Sequence, residues 1–162
     1  MAILTYSART LLAKYLLTHP LYLAIGKGKT SWDTELEAPE YEDTDLVSVI
    51  GYKKLTRSFF VNEDDNGEID LPGGRFYSAS ETPTRHTCLE SQFKYGEAAE
   101  VDIREVGIFA DTVTVGGLPS TQTYFTPSQI TKKGTLITLE HLDKPDSFTP
   151  NRKGMYRTVL TI

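Results

Sequence analysis

Between Ser7 and Thr18 the apolar residues Ala8, Leu11, Leu12, Tyr15 and Leu16 recur at three- and four-residue spacing. That spacing gathers them on one face of a helix, with Arg9 and Lys14 away from its centre. Ser7 stands where an N-cap is expected and Pro20 where the helix must stop. A turn-rich break leads into "LYLAIG", an apolar run of strand length. From 27 to 45 the periodicity disappears, and Trp32, Pro39 and the acidic "EAPEYEDTD" read as a long loop.

At Leu46 the pattern turns to β. "LVSVIGYKKLTRSFFV" is rich in β-branched and aromatic residues, and Gly51 interrupts any helical stripe. It closes in "NEDDNGEIDL", where Asn66-Gly67 between apolar runs predicts a hairpin turn. Further strands are predicted at "HTCLESQFKYG", "VDIREVGIFAD", "TVTV", "GTLITLEHL" and "GMYRTVLTI", divided by Gly, Pro and Asn turns. In "VDIREVGIFAD", Val101, Ile103, Glu105 and Gly107 alternate with Asp102, Arg104, Val106 and Ile108. Charge and apolar groups therefore mix on a strand face. Arg104 and Glu105 point to opposite faces and are expected to hold different partners as structural ion-pair or hydrogen-bonding residues, while Gly107 permits close backbone approach. The fold class expected is mainly β: an antiparallel β-sandwich-like domain with an N-terminal α-helix and long loops. Residues 1–20 form a helical arm, and 21–162 form a single β-rich domain with an interface loop at about 27–45.

Composition adjusts this picture in a few places. The chain has 162 residues, 39% of them hydrophobic, with nine Tyr and seven Phe, which suits one domain plus an arm. Net charge is −5 without a basic run, which argues against nucleic acid or an anionic membrane as the main partner. Cys88 is the single cysteine, so no internal disulfide framework is available, and packing or neighbouring subunits must supply stability. No apolar run nears the roughly 20 residues of a membrane span. The start lacks a basic n-region and a cleavage site, so synthesis in the cytoplasm is expected.

Candidate chemistry is sparse. "GKGKT" shares Gly28-Lys29-Thr30 with the end of a P-loop, but Leu23 stands where the first glycine is needed and no periodic helix follows, so it reads as a turn. Asn62 to Gly73 spaces oxygens like a calcium loop at Asn62, Asp64 and Asn66, yet its twelfth position is Gly73 rather than glutamate. A solvated hairpin tip is the reading preferred there. His19, His86 and His141 lack metal-ligand spacing and are expected on the surface or in loops, and Cys88 is expected to be a buried small hydrophobe. No G-x-S-x-G and no convergent constellation is present, so neither an enzyme nor a cofactor or metal site is expected.

"IREVGIF" resembles the "REIGLF"-type segment of tailed-bacteriophage tail and baseplate proteins, including tail-fibre attachment domains. The order "L.IGxGxT" turn, variable loop, "IGY" strands and closing alternating strand is similar too, from Leu21 to Ile162. The resemblance implies that Ile25, Gly26, Gly28 and Thr30 form the turn after the first strand. It also implies that Arg104, Glu105, Gly107 and Phe109 lie on a central strand. The chain departs from the fibre pattern in "EAPEYEDTD" and in its end at Ile162, so host recognition is not expected of it. The expected function is a structural subunit of a contractile-type phage tail, a baseplate or tube/sheath-junction component that holds neighbouring subunits together in a ring or in several copies. Its partners would be other tail and baseplate proteins, and its place the virion. Interface residues are expected at Leu11, Leu12, Tyr15 and Leu16 on the helix and at Trp32 and Tyr41 in the loop, which is expected to order only against a neighbour. A tail-fibre anchoring protein is the alternative, and a small calcium-dependent carbohydrate-binding module or hydrolase a second.

Overall fold

The computed structural model of the chain describes residues 2–71, 74–151 and 153–162, so Gly73 of the calcium comparison lies outside the described residues. The expected fold class is observed: the protein is mainly β, with antiparallel sheets and one N-terminal helix. Its strands fall into two compact units, each assembled from separated stretches of sequence.

The first unit takes the chain up to His19, Leu55–Ser91 and Met155–Ile162. Helix α1 spans Tyr6–Leu16. Its N-cap is Thr5 rather than Ser7: the extended Thr5 backbone lets Oγ1 accept from the Ala8 amide at 3.3 Å, which leaves Ser7 inside the first turn. Strands β3 (Arg57–Glu63), β4 (Ile69–Leu71), β5 (Arg75–Ala79), β6 (His86–Gln92) and β12 (Met155–Thr161) form one sheet in the order β12-β6-β3-β5-β4. The two edge strands, β4 and β12, approach one another. Val61, Ile69, Tyr77 and Cys88 form its core, with Phe59, Leu71 and Val159 against them.

The expected Asn66-Gly67 hairpin is absent. β3 pairs with β5, and β4 lies on the far side of β5. Asp64 makes the turn instead, its Oδ1 accepting from the Asn66 amide at 3.0 Å and its Oδ2 from Ser78 Oγ at 2.5 Å. His86 is buried, not superficial, with Nδ1 2.7 Å from Thr161 Oγ1 and Nε2 accepting from Arg85 Nε at 3.1 Å. Glu90 on β6, also buried, bridges the flanking strands, 3.0 Å from Arg57 Nε on β3 and 2.7 Å from Arg157 Nε on β12.

The second unit takes Pro20–Lys54 and Gln92–Gly154. Strands β1 (Leu21–Gly26), β2 (Val49–Lys54), β7 (Asp102–Ala110), β9 (Tyr124–Phe125) and β11 (Thr135–Ser147) form a sheet in the order β11-β7-β1-β2-β9. β8 (Val113–Thr114) and β10 (Ile130–Lys132) make a short separate ribbon. Every residue of β1 is buried, as its unbroken apolar run requires of a strand in the middle of a sheet. β7 is buried from Ile103 to Ala110 and carries Phe109 into a core with Tyr22, Ala24, Leu46, Tyr52 and Phe125. Lys53 is buried beside this core because Glu97 Oε2, 2.6 Å away, and Thr123 Oγ1, 2.8 Å away, both receive its ammonium.

Candidate functional site

The middle of β7 organises the loop of residues 27–45. Glu105 faces Gly26 across the β1–β7 ladder, and its carboxylate has no exposed surface. Oε1 accepts from the amides of Gly28 at 3.1 Å and Ser48 at 2.9 Å, and Oε2 from that of Val47 at 2.9 Å. One side chain thus satisfies backbone donors from both ends of the loop, the condition on which such groups can be buried. Glycine is needed at Gly26 because a Cβ there would lie 2.3 Å from Glu105 Oε1. Gly28 adopts φ +54°, and a Cβ would strike the Trp32 ring. The "GKGKT" stretch is a turn that makes room for a carboxylate and an indole. At Gly107 a Cβ would meet methyl groups of Leu46 and Leu136 at 2.9 Å.

Arg104, on the opposite face, grips the same loop from its other side. Its guanidinium forms a two-pronged pair with Asp33, Nε to Oδ1 at 2.7 Å and Nη2 to Oδ2 at 2.8 Å, and reaches Asp102 at 3.2 Å. The hydrogen bond from Arg104 holds the Asp33 carboxyl below the usual aspartate range. Asp33 ends a 3₁₀ helix over Thr30–Asp33 that also carries Trp32. No spacing signal in the sequence marks Asp33 as this partner, because the two residues are distant in sequence and meet only through tertiary structure.

Trp32 is placed differently from the role expected for it. Its indole is 2% exposed and stacks on His141 at 4.0 Å with 22° between the rings, inside its own unit. It leaves no face for a neighbour's pocket. Glu105, Arg104, the Trp32–His141 stack and a Lys133–Asp45 pair join the loop to the rest of its own unit. Its composition conceals this, since few of its own residues are apolar and the fastening groups come from β7, β11 and the turn before β11. Tyr41, by contrast, is fully exposed.

Fastened in this way, the loop borders β11 and leaves two adjoining hollows of about 540 Å³ and about 430 Å³ that share Pro39, Glu40, Asp43 and Leu139. Leu136, Leu139, Val47 and Trp32 line them with apolar surface, while Glu37, Glu40, Asp43 and Asp45 line them with carboxylates. Lys29 hydrogen-bonds Glu37 at 2.5 Å and is the main cause of that carboxyl's lowered pKa. Trp32 Nε1 lies close enough to Glu37 to assist, though it meets no partner in full hydrogen-bond geometry. Among the described residues, Glu35, Glu40, Glu42 and Asp43 pair with no cation.

The helix face predicted from periodicity points outward. Leu11 and Tyr15 are 65% and 64% exposed, Leu12 is exposed and Leu16 half-buried, while the covered side centres on Ala13. Ile3, Leu4 and Tyr6 just before and at the start of the helix are exposed as well. Among the described residues no His, Cys, Asp and Glu cluster has the geometry to hold a metal, and no helix is long and apolar enough to cross a membrane.

No curated protein matches the chain. The family described as "Baseplate wedge 3 tail fiber network component" matches it over residues 1–162. The chain therefore belongs to that family of structural phage baseplate proteins, which makes it a component of the virion tail with other baseplate proteins as its partners.

Proposed function

We propose that the chain is a non-enzymatic adhesive subunit of the baseplate wedge, present in several copies in a contractile-type tail after synthesis in the host cytoplasm. In this reading residues 1–20 are an arm whose outward α1 face, Leu11, Leu12 and Tyr15 with the partly covered Leu16, joins neighbouring subunits, and Tyr41 adds a second contact. The observation that carries it is the exposure of these large apolar side chains together. An apolar face of this kind on a soluble protein is a contact surface or a liability, and burying a Leu or Tyr of this size contributes on the order of 1.5–3 kcal/mol. A tail-fibre anchoring role is the second reading, favoured by the words "tail fiber network" in the family description.

The test is Leu11→Ser with Tyr15→Ser in the full chain. The purified variant is expected to melt as wild type does, because the changed groups face solvent, yet to enter phage particles in reduced copy number, read by quantitative mass spectrometry. Wild-type incorporation sinks the adhesive reading. Loss of fibres from particles that keep the variant favours anchoring over general wedge assembly.

A further inference from the structure

We propose that the outward face of α1 in one copy docks in the acid-rimmed groove beside β11 of a second copy. This deepens the adhesive reading above and rests on it. Three observations carry it. Both partners leave large apolar side chains uncovered: Leu11, Leu12 and Tyr15 on the helix, and Tyr41 and Val47 in the mixed polar and apolar lining of the groove.

Their charges are opposite. From Ala2 to His19 the chain carries Arg9 and Lys14 and no acidic residue. From Glu35 to Asp45 it carries Glu35, Glu37, Glu40, Glu42, Asp43 and Asp45 and no Lys or Arg. Glu37 and Asp45 are already neutralised by Lys29 and Lys133, so the free acids are on the rim, where an incoming cation meets them while still partly solvated. Lys14 lies one turn from Leu11 on the helix, beside the apolar face. The charge also disfavours other occupants: an acidic segment or a nucleic acid would be repelled.

The dimensions agree. The eleven residues of α1 span about 16 Å at 1.5 Å per residue, and the stretch of β11 from Leu136 to His141 that lines the groove runs about 20 Å. Docking a helix from one copy into the groove of the next is a head-to-tail contact, which repeats around a ring or along an array.

The test uses two full-length variants, Leu11→Cys in one chain and Tyr41→Cys in another. The native Cys88 is buried with its thiol pushed up to about 11, so it stays silent. On mild oxidation the mixture is expected to give a disulfide-linked pair at least several-fold faster than either variant alone, and 1 M salt is expected to slow it. Adding Glu40→Lys and Asp43→Lys to the Tyr41→Cys chain should abolish the cross-link, and adding Arg9→Glu and Lys14→Glu to the other chain should restore it. That reciprocal rescue shows that the reversed chains are folded. A mixture that cross-links no faster than either variant alone overturns the proposal, as does pairing of Leu11→Cys with itself at the mixed rate, or indifference to charge reversal. If the arm is required for incorporation into particles but no inter-copy cross-link forms, the adhesive reading stands and this inference falls.

Discussion

Glu105 illustrates how one buried carboxylate can substitute for a hydrophobic core in fixing a loop. It accepts from three amides that belong to two separate turns, and all three bonds are lost if the side chain is removed. A buried donor left unsatisfied costs about 1–3 kcal/mol. Glu105→Ala is therefore expected to destabilise the protein by on the order of 3–5 kcal/mol in urea unfolding. Glu105→Gln should cost less, since its oxygen still accepts two of the bonds while its amide group confronts the third donor. A loss under about 0.5 kcal/mol for Glu105→Ala, the size of an ordinary surface change, would contradict the role assigned to it.

At the scale of elements, the edge strand β12 is tied to β6 through His86. Because Nε2 accepts from Arg85, the proton sits on Nδ1, which donates to Thr161. Protonating Nε2 would set two donors and two positive charges against each other. Burial chiefly, and Arg85 next, hold the pKa below its ordinary 6.5, while Glu63 opposes them. A histidine whose folded pKa is depressed takes up protons preferentially when unfolded, so its contribution is intact above pH 6.5 and is lost as pH falls from there toward the folded pKa. The stability difference between wild type and His86→Gln should thus shrink between pH 8 and pH 5 in paired denaturation curves. Parallel curves across that range would contradict it.

Considered whole, the molecule is built from interleaved pieces, and neither compact unit is a continuous stretch of chain. The sheet of the second unit has β1 and β2 between β7 and β9. A fragment of residues 92–154 would retain β7, β9 and β11 but lose the centre of their sheet together with Tyr22, Ala24 and Tyr52 from the core. It is expected to show no cooperative thermal transition by circular dichroism, since exposed strand edges and a missing core leave too little burial to offset chain entropy. A sharp transition in that fragment would mean that the unit folds without its central strands.

The elements that depend on near neighbours in sequence were legible from the sequence itself. Helical spacing marked α1 apart from its cap, the unbroken apolar run marked β1, and alternation marked β7 with Arg104 and Glu105 on opposite faces. Period and burial leave their imprint locally, which is why those elements could be read. The short strands β9 and β10 were not legible, because two or three residues carry no period and exist as strands only by pairing. The same holds for the partners: Asp33 for Arg104, the Gly28, Val47 and Ser48 amides for Glu105, and His141 for Trp32 are chosen by contacts between distant segments. Whether an apolar stripe faces the core or solvent is likewise a decision of tertiary packing. The sequence alone determined that α1 has such a stripe; the fold determined that Leu11, Leu12 and Tyr15 turn outward while Trp32 turns in, because burial depends on what the rest of the chain brings against each face.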